Sequence, residues 1–285
     1  MKCENSCTCS PLYTGTVTLQ LSSRVVNKCK ELDVPLVGFA SADRWDDPLF
    51  DPWIPEQFRP RSIYPQTNTV IVIGIPVTLP ALETSPSLWY HELYKTVNTL
   101  LDTAAYRISI MLNELGHNSI ALPRDGYGSI QVLKENPVAF FSHRHAAFLA
   151  GLGNFGVNNM ILTAEYGPRV RFTSIFSEAG ISGGTIIQTP ICTRCMRCVT
   201  ICPVNALQKE DYPDGLINKE RCTARSEELS KRYISPCGFC IKVCPVGEDR
   251  KRFHRERPGI YDETNQEYAN YHKAWDHVRS YGGKP

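Results

Sequence analysis

"CTRCMRCVTICPVNAL", residues 192–207, and "CGFCIKVCPVG", residues 237–247, decide how this chain is read. Cys192, Cys195, Cys198 and Cys202 follow C-x2-C-x2-C-x3-C-P; Cys237, Cys240 and Cys244 repeat C-x2-C-x3-C-P, and Cys222 stands between the runs. Three thiolates at this spacing cap one face of an iron–sulfur cubane, while the last cysteine of such a run reaches the neighbouring cluster. The pattern predicts two 4Fe–4S clusters, one on Cys192, Cys195, Cys198 and Cys244, the other on Cys202, Cys222, Cys237 and Cys240. Two four-thiolate zinc sites would use the same eight residues and stay open as the alternative, although zinc ligands rarely come in so tight a run ending in Cys-Pro.

The 285 residues carry 42% hydrophobic and 21% charged side chains at a net charge of +2, the profile of an ordinary globule with no general pull toward nucleic acid or membrane. No apolar run approaches the ~20 residues that cross a bilayer. "MKCENSCTCSPLY" has no basic region followed by an apolar stretch, so no export is expected and the chain is placed in the cytoplasm. Twelve cysteines in that reducing compartment point to metal rather than disulfides. Cys3, Cys7 and Cys9 lack an evident fourth ligand and read as surface thiols, and Cys29 as a core residue.

Outward from the cysteines, helical spacing over 19–32 precedes the apolar run "VPLVGFA", and "TNTVIVIGIPV", 68–78, reads as a buried strand. The five prolines of "DPLFDPWIPEQFRPRSIYP" mark loop. Residues 88–115 set Leu93, Val97, Leu101, Ala104, Ile108, Leu112 and Leu115 on one helical stripe that Gly116 stops. "NSIALP" is a short strand, "PRDGYGS" a loop, and "NMILTAEYGPRVRFTSIFSE" a pair of strands turning at Gly167 and Pro168. Tyr268, Tyr271, Trp275 and Val278 share a helical face and predict a docked C-terminal helix. The fold class expected is α+β, with a mixed domain at 1–185, a two-cluster ferredoxin-like module at 186–247 and an extension at 248–285.

Between helix and strands, "AGLGNFG", 150–156, offers Gly151, Gly153 and Gly156 after a helix, whereas a dinucleotide fingerprint follows a strand. Such a turn lets backbone approach a flat ligand whose polar rim Asn154, Asn158 and Asn159 would bond. Arg169 and Arg171 alternate along a strand and share a side, open to a ligand or to solvent. "EDRKRFHRERP", 248–258, is locally basic and reads as a solvated face, or as a landing point for tRNA or an acidic redox partner.

"HRHAAFLAGLGNFGVNNMILTAEYGPRVRFTSIFSE", 143–178, followed by the two cysteine motifs, resembles the cobalamin-dependent reductases that include epoxyqueuosine reductase and the respiratory reductive dehalogenases, over roughly Leu88 to Cys244. The resemblance implies a nitroreductase-like domain binding base-off cobalamin, a ferredoxin-like module that feeds it electrons, and a nearby acid that supplies a proton to a small-molecule substrate. It assigns cofactor contacts to Arg144, Gly151, Leu152, Gly153, Asn154, Gly156, Asn158 and Arg169. Epoxyqueuosine reductases carry an acid a little more than a dozen positions before AGLG; counting back here reaches Pro137, with Glu135 the nearest carboxylate. Val246 and Gly247 replace their Trp-Asn after the last Cys-Pro, and their helical-repeat region is not matched. Dehalogenases use a tyrosine assisted by a cation, roles that fall to Tyr127 and Arg124, while His143 is a further proton source near neutral pH. The leading expectation is a cytoplasmic, oxygen-sensitive corrinoid iron–sulfur reductase fed by ferredoxin or flavodoxin. A two-cluster electron carrier without cobalamin is the alternative, and a divergent epoxyqueuosine reductase the third.

Overall fold

The computed structural model describes residues 11–46 and 54–281, so Cys3, Cys7 and Cys9 lie outside it, as does part of the proline-rich stretch. Helix α1 (Pro11–Glu31) leads into β1 (Leu36–Ser41), and β2 (Thr69–Pro76) precedes the long helix α2 (Leu88–Glu114). Then come β3 (Ser119–Ala121), α3 (Ile130–Glu135), α4 (His143–Leu149), the short pair β4 (Asn154–Phe155) and β5 (Ile161–Leu162), and β6 (Val170–Ser177). The cysteine segment contributes α5 (Lys219–Ser230), and α6 (Ala269–Arg279) comes last.

Four strands form an antiparallel sheet in the order β1-β2-β6-β3. β2 is central and apolar almost throughout because both its faces are covered. Ile71, Ile73 and Ile75 pack with Val25 and Cys29 of α1 and with Val97, Leu101, Ile108 and Leu112 of α2. The alternate residues Val70 and Val72 join Trp45, Phe172, Phe176, Ala146 and Leu149 on the other face. At Gly74 a Cβ would stand 2.8 Å from the Phe172 ring, so glycine permits this close pairing of β2 with β6.

Helix α2 opens with the Ser87 hydroxyl accepting from the Tyr90 N–H and ends before Gly116 at φ +84°, a left-handed position that glycine takes without strain. The proline-rich stretch is not all loop: Pro60 starts a single helical turn, where its missing N–H is no loss. α3 also falls where the sequence suggested no element. In α6 the buried pair is His272 and Trp275, while Tyr271 is exposed. His272 tolerates burial because its Nε2 lies 2.7 Å from the Ile260 carbonyl, and Trp275 stacks on Tyr261. No helix among the described residues is long and apolar enough to cross a membrane.

Candidate functional site

Both cysteine motifs fold alike. Met196 (φ +59°) and Gly238 (φ +75°) each follow a cysteine in the left-handed region and cap a four-residue helix, Arg197–Thr200 and Phe239–Lys242. Cys192, Cys195, Cys198 and Cys244 line one pocket together with Val157, Leu162, Met196 and Val246. Cys222 lies within electrostatic reach of Cys237 and Cys202, and Cys240 within reach of Cys237, Cys222, Cys198 and Cys202. Burial pushes the thiols of Cys240, Cys222, Cys237 and Cys244 up, and that of Cys198 up to about 11. Among the described residues no three such side chains converge on one point as a single-ion site requires; Cys192, Cys195, Cys198 and Cys244 instead line one cavity. A multi-atom cluster fits that arrangement, with apolar walls that exclude water. Cys202 Sγ also accepts the Ala206 N–H at 3.2 Å, a bond of the kind that tunes a cluster potential. Cys29 stands apart from all of these, buried in the core.

The glycine turn binds the chain itself. A Cβ on Gly151 (φ +73°) would collide with the Thr185 carbonyl, and one on Gly153 with the Leu162 carbonyl. At Gly156 it would meet the Leu162 side chain at 2.6 Å. The expectation that these glycines open a path to a flat ligand is corrected: they let the chain after β6, and β5, close on the turn. Leu152 packs against the core beneath the sheet.

The asparagines are taken as well. Asn154 donates to the Ile187 carbonyl and accepts from the Ile191 N–H, holding the approach to the first cysteine. Asn158 Oδ1 accepts from the Met160 N–H. Asn159, at φ +56° where asparagine is tolerated, donates to the Gly215 carbonyl at 2.8 Å and accepts from the Ile217 N–H at 2.7 Å. These side chains, assigned above to a ligand's rim, clasp the cysteine segment instead.

Arg169 and Arg171 part company at the start of β6. Arg169 has no exposed surface; its Nε and Nη2 grip Asp249 at 2.7 and 2.6 Å, and Nη1 reaches the Cys244 carbonyl at 3.1 Å. It has no surface open to solvent. Arg171 donates to Asn98 Oδ1 at 3.1 Å and Asp125 Oδ1 at 2.9 Å, and lies 4.5 Å from the centre of the Tyr94 ring. The run 248–258 is not a simple solvated face either, because Asp249 and Arg250 are buried and Arg255 pairs with Glu83.

Arg124, the expected partner of Tyr127, is held by Asp102. The cations within electrostatic reach of Tyr127 are Arg171 and, after it, Arg144. Burial, with Tyr94 and Asp125 nearby, pushes the Tyr127 hydroxyl up to about 12 against the pull of both arginines. It therefore keeps its proton at neutral pH and remains a competent donor. Tyr94, Asn98, Asp125 and Arg171 were missed as a group. The signal was faint: Tyr94 and Asn98, four apart on α2, put a polar patch beside the apolar stripe.

The two histidines do not fit the role of proton source. His143 Nε2 lies 3.0 Å from the Pro123 carbonyl, so it carries the hydrogen, and Nδ1 accepts from the Ser174 hydroxyl at 2.9 Å. His145 is bracketed by the hydroxyls of Ser142 and Tyr212, each at 2.7 Å. Burial lowers His143 to about 4, and burial with Arg144 and Lys219 beside it lowers His145 to about 3. Both folded values lie below the unfolded value of about 6.5, so the stability they contribute is full above that pH and drains away as pH falls toward the folded values. In His145→Gln, unfolding free energy between pH 6 and 4 is expected to depend on pH more weakly than in wild type, by about one proton, as read from denaturant melts. An unchanged slope would show that His145 is not buried neutral.

Arg144 carries the one cofactor assignment that the geometry leaves open. Its Nη1 donates to the Asn159 carbonyl at 2.7 Å, and its other guanidinium donors have no protein partner among the described residues. Its electrostatic neighbours are Tyr212, Arg171, Cys222 and Tyr127. An exposed guanidinium with donors open to solvent, within electrostatic reach of Cys222 and Tyr127, fits a ligand rich in amide and phosphate oxygens. The glycine turn and Arg169 do not.

The 4Fe-4S dicluster domain family matches residues 191–248. Tetrachloroethene reductive dehalogenase of Desulfitobacterium hafniense is 24% identical over 204 residues, 66% of this chain and 33% of the relative. Epoxyqueuosine reductase of Lactococcus garvieae is 30% identical over 130 residues, 41% of this chain and 36% of that one. The chain thus spans about a third of the length of these curated relatives. Among solved structures, an epoxyqueuosine reductase from Bacillus subtilis superposes at TM-score 0.57 and 18% identity, over 93% of this chain and 78% of that one. A reductive dehalogenase described in terms of B12-dependent dehalogenation gives TM-score 0.57 and 16% identity, over 89% and 35%. The chain is thus a homologue of the reductive dehalogenases and the epoxyqueuosine reductases, built on their fold and carrying a 4Fe-4S dicluster domain.

Proposed function

We propose that this protein is an iron–sulfur oxidoreductase in which two 4Fe–4S clusters, on the quartets Cys192, Cys195, Cys198, Cys244 and Cys202, Cys222, Cys237, Cys240, pass electrons to a base-off corrinoid that reduces a small molecule. Residues 1–185 would form the nitroreductase-like corrinoid domain, 186–247 the ferredoxin-like module and 248–285 the extension. A ferredoxin or flavodoxin in the cytoplasm would supply the electrons. The observation that carries this reading is the junction: Arg144, exposed and bonded to the Asn159 carbonyl through one nitrogen, lies within electrostatic reach of both Cys222 and Tyr127. Arg144 would hold the corrinoid, which when bound supplies a redox-active metal accessible to substrate. Tyr127 would give the proton. Arg171, fixed by Asp125 and Asn98, would stabilise the phenolate left behind.

The test is anaerobic reconstitution with iron, sulfide and hydroxocobalamin. About eight iron and one cobalt per chain are expected after gel filtration. Full iron with no retained cobalt would overturn the corrinoid part and leave an electron carrier. Given tetrachloroethene and tRNA-bound epoxyqueuosine, the substrates its relatives' names carry, Tyr127→Phe is expected to lose about 100-fold in turnover of whichever is reduced, with metal content unchanged. Full turnover would dismiss Tyr127 as the donor.

A further inference from the structure

Five charged residues are buried among the described ones: Glu83, Arg169, Lys242, Asp249 and Arg250. All five gather around the second cysteine motif, and the two acids are already matched, Asp249 by Arg169 and Glu83 by Arg255. Lys242 and Arg250 are left over. Lys242, between Cys240 and Cys244, is 3% exposed. Its Nζ has three donors and one acceptor, the Ser85 carbonyl at 2.9 Å, and lies 4.3 Å from the centre of the Phe239 ring. Arg250, 2% exposed, donates from Nε to the Cys244 carbonyl at 2.6 Å, and otherwise to the Lys242 and Arg255 carbonyls and the Tyr261 hydroxyl. Neither cation has a carboxylate within ion-pair distance among the described residues.

A buried cation without a counter-ion is destabilising by several kcal/mol, and removing such a charge in favour of an apolar side chain is commonly neutral or stabilising. Packing does not explain Lys242, since methionine would fill the same space. A negative charge at Cys237 does, since Lys242 lies within electrostatic reach of that thiol, with the Glu263 and Glu83 carboxylates also in reach but beyond ion-pair distance. A cubane with four thiolates is anionic, and reduction adds one electron to it.

We propose that Lys242 and Arg250 are the fixed counter-charges of the two clusters, Lys242 serving the quartet of Cys202, Cys222, Cys237 and Cys240, and Arg250 the quartet that ends at Cys244. Each cation favours the reduced over the oxidised form of its cluster and so raises its reduction potential. They are positioning residues that act through the clusters. The inference rests on the cluster assignment and is independent of the corrinoid.

The test uses the full chain reconstituted anaerobically with iron and sulfide alone, titrated with titanium(III) citrate and followed by EPR of the reduced clusters. In Lys242→Met, iron content is expected to match wild type. One cluster should become about tenfold harder to reduce at a given poise, about 59 mV for a one-electron couple, while the other stays put. Lys242→Arg should keep the wild-type potential, and the exposed Lys231→Met should leave both clusters unmoved. The apo form of Lys242→Met should melt no lower than wild type, a result that a merely structural lysine would not give. Should that variant fail to fold, Lys242→Gln carries the same comparison. Unchanged potentials at full iron content would overturn the proposal while sparing the clusters. A wild-type chain that holds no iron would overturn both.

Discussion

Cys240→Ala, reconstituted with iron and sulfide, is expected to hold about half the iron of the wild type and to lose one of two reduced-cluster EPR signals. Cys240 lies within electrostatic reach of Cys237, Cys222 and Cys202 as well as of Cys198, and in the interleaved assignment its loss strips one quartet of a ligand and leaves the other complete. Cys244→Ala makes the sharper comparison. It lies one helical turn further on but lines the pocket of Cys192, Cys195 and Cys198, and so should extinguish the opposite signal. If both variants lost the same signal, the interleaved assignment would be wrong. Cys29→Ala, in the core, should leave the iron untouched.

Asp249→Asn is expected to destabilise the protein by about 3–5 kcal/mol, because it leaves the fully buried Arg169 guanidinium without its counter-charge. One of the two short charge-assisted bonds is lost and the other weakened, since asparagine keeps a single acceptor oxygen and presents an amide where Nη2 or Nε needs another. The effect reaches beyond the pair, since Arg169 also holds the carbonyls of Cys244 and Val246 against the start of β6. Denaturant melts of the metal-free chain measure it. Lys251→Ala, which breaks the exposed pair with Glu248, is the control and should leave the melt essentially where it is in wild type. A loss for Asp249→Asn as small as the control's would remove Arg169 from its place as the bolt between strand and cysteine segment.

The parts of the fold that repeat at a fixed period were legible. β2 shows as an apolar run because both its faces are covered, α2 as a stripe at helical spacing, and the cysteines as a spacing that few chemistries share. What the sequence conceals is the destination of a polar side chain. Alternation along β6 says that Arg169 and Arg171 share a side, but not that Asp249, eighty residues on, claims the first, or that Asn98 and Asp125 claim the second. The asparagines after the glycine turn read as ligand donors because their partners, Ile187, Gly215 and Ile217, are backbone groups with no signature. Tyr127 and Arg144 were picked out by resemblance. Arg124 is near Tyr127 in sequence, but it is Arg171, more than forty residues on, whose charge reaches the tyrosine.

Asn159 joins two structures at one residue: its side chain grips Gly215 and Ile217 between the cysteine motifs, and its carbonyl anchors Arg144. One asparagine thus ties the segment that precedes Cys222 to the guanidinium proposed to hold the corrinoid, so under that proposal a shift of the segment on loss of its cluster would be passed to Arg144 through a single residue.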